Sequence, residues 1–310
     1  MNKSAIIIHG GCNSFENSDS IEVLHQQKQE KALAQIIEKG WDYVIAGKKA
    51  MDIAEKVTIL LENSPYFNAG RGSALNERKK VELDASIMDG DTLSCGAVSG
   101  ITAYKNPVSI ARNVISKTNC VYLSGIGAEE LAQTVGFTKV PSSYFVTDYQ
   151  LHWWDIIRKS ESERKKKMKG TVGVVVLDTY GSIAAATSTG GLTFKMKGRI
   201  GDSPLIGSGT YADSRYGGVS LTGYGEQIIK TALAKHTIDL IRFKKVDAQT
   251  AAEQSIRELS RLENGKAGII CIDAKGNIGR FVNEKFLNHA YMSSSMAKPI
   301  VSFKTERLAK

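Results

Sequence analysis

The sequence predicts an α+β protein with two packed β-sheets enclosed by helices. Three observations carry that prediction. The first half alternates strand-like and helix-like segments, and the second half contains two hairpin patterns with a long helical stretch between them. Several strand-like segments, VGVVVL and AGIICI among them, are apolar on both faces, so each must be covered on both sides. The chain has 310 residues, 42% of them hydrophobic and 24% charged, an ordinary globular composition.

The elements can be justified in order. AIIIHGG reads as a first strand running into a glycine turn. Residues 20–46 carry helical spacing through Ile21, Leu24, Leu33, Ile36 and Ile37, with Ser20 suited to cap the start. A second helical run covers residues 51–61. GAVSGITAY, residues 96–104, is strand-like, and Asn106–Pro107 then offers a cap and a first-turn proline for the helix VSIARNVIS. From Asp148 the pattern is helical and then strongly charged, SESERKKKMKG, which predicts a disordered linker over about residues 158–170. TVGVVVLD and SIAAATSTGG flank the turn residues Thr179, Tyr180 and Gly181 as an antiparallel hairpin, and AGIICID with NIGRFV repeat that design near the C-terminus. Between the hairpins lie helical runs at about 226–242 and 247–262.

Composition excludes several classes. No run of 18 apolar residues occurs, so no membrane-spanning helix is expected. The apolar stretch at residues 5–8 is too short for a signal-peptide core, which makes the cytoplasm the default compartment. Cys12, Cys95, Cys120 and Cys271 are scattered without a CxxC pair, which speaks against zinc and disulfides and for small buried hydrophobes. The net charge of +9 is concentrated at Arg164, Lys165, Lys166, Lys167 and Lys169; without interleaved aromatics it reads as a solvated linker, and no nucleic-acid partner is expected. GxSxG, HExxH and GxxxxGK[ST] are absent. His25, His152, His236 and His289 fall on expected helices or loops, while His9 borders a glycine turn, where a structural hydrogen bond is the simpler role.

Hydroxyls and glycines instead crowd residues 170–226, in GTVG, ATSTGG, GRIGDSP and LTGYGE. A threonine hydroxyl is a weak nucleophile that needs a base beside it. Thr171 stands at the junction of the charged segment and the first strand of a hairpin. Were it a chain terminus, its free α-amine, with a pKa of roughly 7.7–8.0, would supply that base. Within an intact chain that nitrogen is an amide, so the chemistry requires the Gly170–Thr171 bond to be cut.

NAGRGSALNERKKVELDASIMDG, GTVGVVVLD, ATSTGG, GRIGDSPLIGSGTYAD and TGYGE together resemble the plant-type L-asparaginases, or isoaspartyl peptidases, among the N-terminal nucleophile hydrolases. The resemblance runs over nearly the whole chain and is weakest at residues 120–168. It implies a single four-layer αββα sandwich over residues 1–310. Self-cleavage would yield an α subunit, 1–170, and a β subunit, 171–310, which associate as an (αβ)2 assembly. It further implies Thr171 as nucleophile, with Thr189 hydrogen-bonded to it and Asn68 positioning it. Arg199 would clamp the substrate α-carboxylate, which a planar guanidinium matches in bidentate fashion. Asp202 would hold the α-ammonium, with the Gly225 carbonyl near that amine. Thr222 and Gly223 would form an oxyanion hole. No catalytic cofactor is implied, but a structural sodium ion would be held by main-chain carbonyls of LENSPYF, the loop preceding Asn68.

The implied substrates are L-asparagine and β-aspartyl dipeptides. The alternatives are a glycosylasparaginase, disfavoured by STGG, by PLIG after GDS and by Glu226 after TGYG, and an uncleaved binding protein, disfavoured by the full set of expected catalytic side chains. Two departures stand out. Cys12 and Asn13 follow HGG where relatives have small residues, and Tyr224 is bulky beside the expected substrate entrance.

Overall fold

The computed structural model describes residues 3–13, 20–159 and 170–304. In chain order its elements are β1 (Ala5–Asn13), α1 (Ser20–Ile45), α2 (Ala50–Asn63), β2 (Leu83–Asp89), β3 (Cys95–Ile101), α3 (Pro107–Lys117), β4 (Tyr122–Ser124), α4 (Gly125–Thr134) and α5 (Asp148–Lys159). After Gly170 come β5 (Val172–Leu177), β6 (Ile183–Thr189), β7 (Thr210–Asp213), β8 (Gly217–Gly223), α6 (Gly225–Thr231), α7 (Leu233–Lys244), α8 (Ala248–Leu259), β9 (Ala267–Asp273), β10 (Ile278–Val282), β11 (Phe286–Ser293) and β12 (Ile300–Ser302).

The strands form two sheets. One has eight strands in the order β12-β11-β1-β5-β6-β2-β3-β4, and the other four in the order β10-β9-β8-β7. In the larger sheet, strands from before and after residue 170 are interleaved. β1 lies between β11 and β5, and β6 pairs with both β5 and β2.

Three apolar clusters hold these elements together. Ile6, Ile8, Val172, Val174, Ala184 and Ala186, on one face of the large sheet, pack against helical residues such as Leu33, Ile37, Ile53 and Val57. The opposite faces of the same strands contribute Ala5, Ile7, Val175, Ile183 and Ala185 to a second cluster, which meets Ala212, Ile270 and Ile272 of the small sheet. Val219, Leu221 and Ile269 on the outer face of the small sheet pack under Leu233, Ile238, Ala251 and Ile256. Strict alternation along β1 and β5 thus explains their two apolar faces: one set of side chains meets helices and the other meets the second sheet.

Both predicted hairpins form antiparallel pairs, β5 with β6 and β9 with β10. The expected helix at 226–242 is broken. Ala232 takes a left-handed conformation (φ 45°, ψ 48°) and separates α6 from α7. Asp247 caps α8, its side chain accepting from Thr250 N at 2.7 Å. The expected linker does not begin at 158, since Arg158 and Lys159 close α5; the rest of that expectation, residues 160–169, lies outside the described residues. His289 sits in β11 rather than in a helix or loop. Cys12 and Cys271 are buried as expected, but Cys120 is exposed and Cys95 only partly covered. No helix among the described residues is long and apolar enough to cross a membrane.

Candidate active site

Thr171 immediately precedes β5 and is buried. Its Oγ1 donates to Thr189 Oγ1 at 3.1 Å, and Thr189 Oγ1 in turn donates to the carbonyl oxygen of Gly170 at 3.1 Å. Gly191 N–H donates to Thr189 Oγ1 at 2.9 Å, which orients that hydroxyl. Strand register explains the meeting. Val172 stands opposite Ser188, so the next step along β5 and β6 sets Thr171 opposite Thr189.

Asn68 joins this group from the loop after α2. Its Nδ2 donates to the Gly170 carbonyl and to the Gly191 carbonyl, both at 2.6 Å, while its Oδ1 accepts from Ala74 N at 2.7 Å. The Ala74 bond fixes which end of the amide faces Gly170. In the continuous chain, therefore, the Gly170 carbonyl receives two hydrogen bonds and has a threonine hydroxyl beside it. Such an arrangement polarises a carbonyl and stabilises negative charge developing on its oxygen.

A second group gathers charge. Arg199 meets Glu226 through two parallel bonds, Nε to Oε1 at 2.9 Å and Nη2 to Oε2 at 2.8 Å. Asp202 is buried, and its Oδ2 has no hydrogen-bond partner among the described residues. Burial pushes the Asp202 carboxyl up to about 7, with the Arg199 guanidinium opposing the rise. Gly225 is required by close approach: a Cβ there would lie 2.8 Å from Asp202 Oδ1 and 3.1 Å from Arg199 Nη2. Thr222, the penultimate residue of β8, has a buried Oγ1 that also lacks a partner among the described residues. Gly223 follows it against the start of β9, where a Cβ would lie 2.5 Å from Lys266 O.

Asp84 ties the two groups together. It stands opposite Thr189 on β2, and its charge acts on both Arg199 and Asp202. Buried with Lys195, 3.8 Å away, it also accepts from Gly100 N at 3.0 Å. Burial raises the Asp84 pKa, opposed chiefly by Lys195.

Sequence reasoning missed Asp84 and Lys195, and read Glu226 only as a family discriminator. Asp84 lies within VELDASIMDG, where an acid flanked by Leu83 and Ala85 was the available signal. Nothing local marks Lys195 as buried. Of the two departures, Cys12 directs its Sγ to the Thr222 carbonyl at 3.4 Å, beneath the expected oxyanion residue, and the Asn13 side chain lies outside what is described. Tyr224 is half-buried at the entry to α6. Among the described residues no cluster of three or more His, Cys, Asp or Glu could hold a metal ion.

The fold thus holds two polar groups, a buried threonine hydroxyl network that reaches the Gly170 carbonyl and a charged group of half-buried Arg199, Glu226 and buried Asp202. The sequence profile of the asparaginase family matches residues 2–301, and the chain belongs to that family. It is 40% identical over 313 residues to the plant-type L-asparaginase of Thermococcus kodakarensis, covering 96% of this chain and 98% of that one. It is 40% identical over 301 residues to the probable isoaspartyl peptidase/L-asparaginase 2 of Arabidopsis thaliana, covering 88% and 91% respectively. The isoaspartyl peptidase of Escherichia coli shares 36% identity over 301 residues, covering 94% and 93%.

Proposed function

We propose that this protein is a hydrolase that converts L-asparagine to L-aspartate and ammonia and cleaves β-aspartyl dipeptides, after cutting its own chain between Gly170 and Thr171. The observation that carries the reading is the Thr171 hydroxyl beside a Gly170 carbonyl held by Asn68 and Thr189.

In self-cleavage Thr171 Oγ1 attacks the Gly170 carbonyl carbon. The C–O bond forms, the C–N bond breaks, and the hydroxyl proton passes to the departing nitrogen, which becomes the α-amine. Water then hydrolyses the resulting ester, leaving a Gly170 carboxylate and a Thr171 hydroxyl. In turnover the freed amine accepts the hydroxyl proton as Oγ1 attacks the substrate side-chain carbonyl. Negative charge on that oxygen is met by the Thr222 hydroxyl and the Gly223 N–H. The proton moves to the leaving nitrogen as its bond to carbon breaks, and water releases aspartate from the acyl-enzyme ester.

Arg199 and Asp202 anchor the α-carboxylate and α-ammonium, with the Gly225 carbonyl beside the latter. The unpartnered Asp202 Oδ2 and Thr222 Oγ1 support this assignment, because a buried polar atom without a partner is costly and substrate would satisfy both. Anchoring both α-groups while the leaving amine points outward accepts ammonia or an amino acid as leaving group and rejects ordinary α-peptides. The helices and sheets would stack as the αββα layers of an N-terminal nucleophile hydrolase, and two cleaved copies would associate.

A sodium ion in the loop before Asn68 fits the local chemistry. The carbonyl oxygens of Pro65 and Phe67 converge to 2.7 and 2.9 Å from the point where Gly72 would carry a Cβ, a cradle of hard oxygen donors. The ion would brace the loop that carries Asn68.

Thr171→Ala tests the reading. Mass spectrometry should find the wild-type protein as two fragments meeting at residue 171 and the variant as one intact chain without asparaginase activity. A processed, active alanine variant would remove Thr171 from its role.

A further inference from the structure

One cross-strand row lies immediately below the reacting hydroxyls. On the large sheet His9 stands opposite Gly173, Gly173 opposite Thr187, and Thr187 opposite Ser86. On the small sheet Ser220 stands opposite Thr210. Side chains two residues apart on a strand share a face. His9, Thr187 and Ser86 therefore point into the same space between the sheets as Thr171, Thr189 and Asp84, one step deeper, and Ser220 lies one step below Thr222.

These side chains are buried and linked by hydrogen bonds that cross between the sheets. His9 Nε2 lies 3.0 Å from Ser220 Oγ, and Ser220 Oγ lies 2.7 Å from Thr187 Oγ1. Thr210 Oγ1 donates to Thr187 Oγ1 at 2.5 Å, and Ser86 Oγ lies 2.8 Å from Thr210 Oγ1 and 2.6 Å from the carbonyl oxygen of Ser203, the neighbour of Asp202. Gly173 makes room for the crossing: a Cβ there would sit 2.0 Å from Ser220 Oγ and 2.3 Å from His9 Nε2. Burial lowers the His9 imidazole to about 3, partly opposed by a contact with the Thr171 main chain. His9 is therefore a neutral ring that meets the seam through Nε2, while its Nδ1 has no hydrogen-bond partner among the described residues.

We propose that His9, Ser220 and Thr187 are positioning residues for the reaction, a seam that fixes the strands carrying Thr171, Thr189 and Thr222 at the spacing the chemistry requires. The seam matters because those hydroxyls arrive from two different sheets. An apolar filling would hold the sheets together without specifying their offset, whereas hydrogen bonds specify it to a fraction of an ångström. The proposal rests on the reading of Thr171 as nucleophile.

The test compares Ser220→Ala, Ser220→Thr and His9→Phe in the full-length, mature protein acting on asparagine, with Tm measured alongside. The expected result is a kcat lowered about ten-fold or more in Ser220→Ala and His9→Phe, with KM within about two-fold, since a small misplacement of a reacting group is costly. Ser220→Thr, which keeps the hydroxyl, should recover most of that loss. A lowered Tm with unchanged kcat would mark the seam as packing alone and overturn the proposal. If Ser220→Ala does not fold, the wild-type protein labelled with 15N-histidine decides: His9 ring signals that move on aspartate binding support the seam, and signals that stay put overturn it. Turnover by Thr171→Ala would remove the nucleophile assignment instead, whereas normal kcat in the seam variants beside an inactive Thr171→Ala would remove only the seam.

Discussion

At the scale of single residues, the role proposed for Asp202 couples acidity to both binding and stability. Its carboxyl is raised to about 7 in the folded protein from its ordinary value of 3.8. Between those two pH values the folded state retains a proton that the unfolded chain has released, so this group's contribution to stability declines as pH rises through that window. Binding an ammonium runs the other way, because only the ionised carboxylate pairs with it. KM for asparagine should therefore rise as pH falls below about 7, and Asp202→Asn should raise KM and flatten that limb, as steady-state kinetics across pH would show. Lys195 offers a complementary case. Its pairing with Asp84 is fully buried, and removing one member of such a pair leaves an uncompensated charge. Lys195→Met should destabilise the protein by about 3 kcal/mol or more, measured by denaturant unfolding. The sequence proposed a role for Thr171 on local chemistry, and roles for Arg199 and Asp202 only through motifs that resemble those of a known family. Asp84 and Lys195 were not legible, because their meaning arises from burial against each other across more than a hundred residues of chain.

Elements show the same division. The hairpins were readable because β-branched and small apolar residues flank compact turns, and the start of α8 because Asp247 precedes a good helical run. The interruption between α6 and α7 was not, since alanine is the strongest helix former and gives no warning of a break. Ala232 is exposed and left-handed, a conformation that glycine adopts without steric cost. Ala232→Gly should accordingly stabilise the protein by about 0.5–1 kcal/mol in chemical denaturation, whereas a continuous helix there would be weakened by a similar amount. The strands β2, β7, β8 and β11 escaped sequence reading for another reason. They carry buried polar residues such as Ser86, Thr210, Ser220 and His289, which blur the alternation used to recognise a strand. Ser86, Thr210 and Ser220 meet through Thr187 between the sheets, a linkage that only the folded arrangement shows.

For the whole molecule, the interleaving of the large sheet outlasts any cut at residue 170. The order β12-β11-β1-β5-β6-β2-β3-β4 alternates between the two stretches of chain, so they touch along three separate strand pairings: β11 with β1, β1 with β5, and β6 with β2. Pulling the halves apart would tear all three ladders and open the apolar layers on either side. Dilution should thus never inactivate the processed protein by dissociating its halves, and its activity per molecule ought to stay level down to the lowest concentration an assay can read. Once unravelled, the two pieces would have to find each other as strangers, each supplying strands the other lacks.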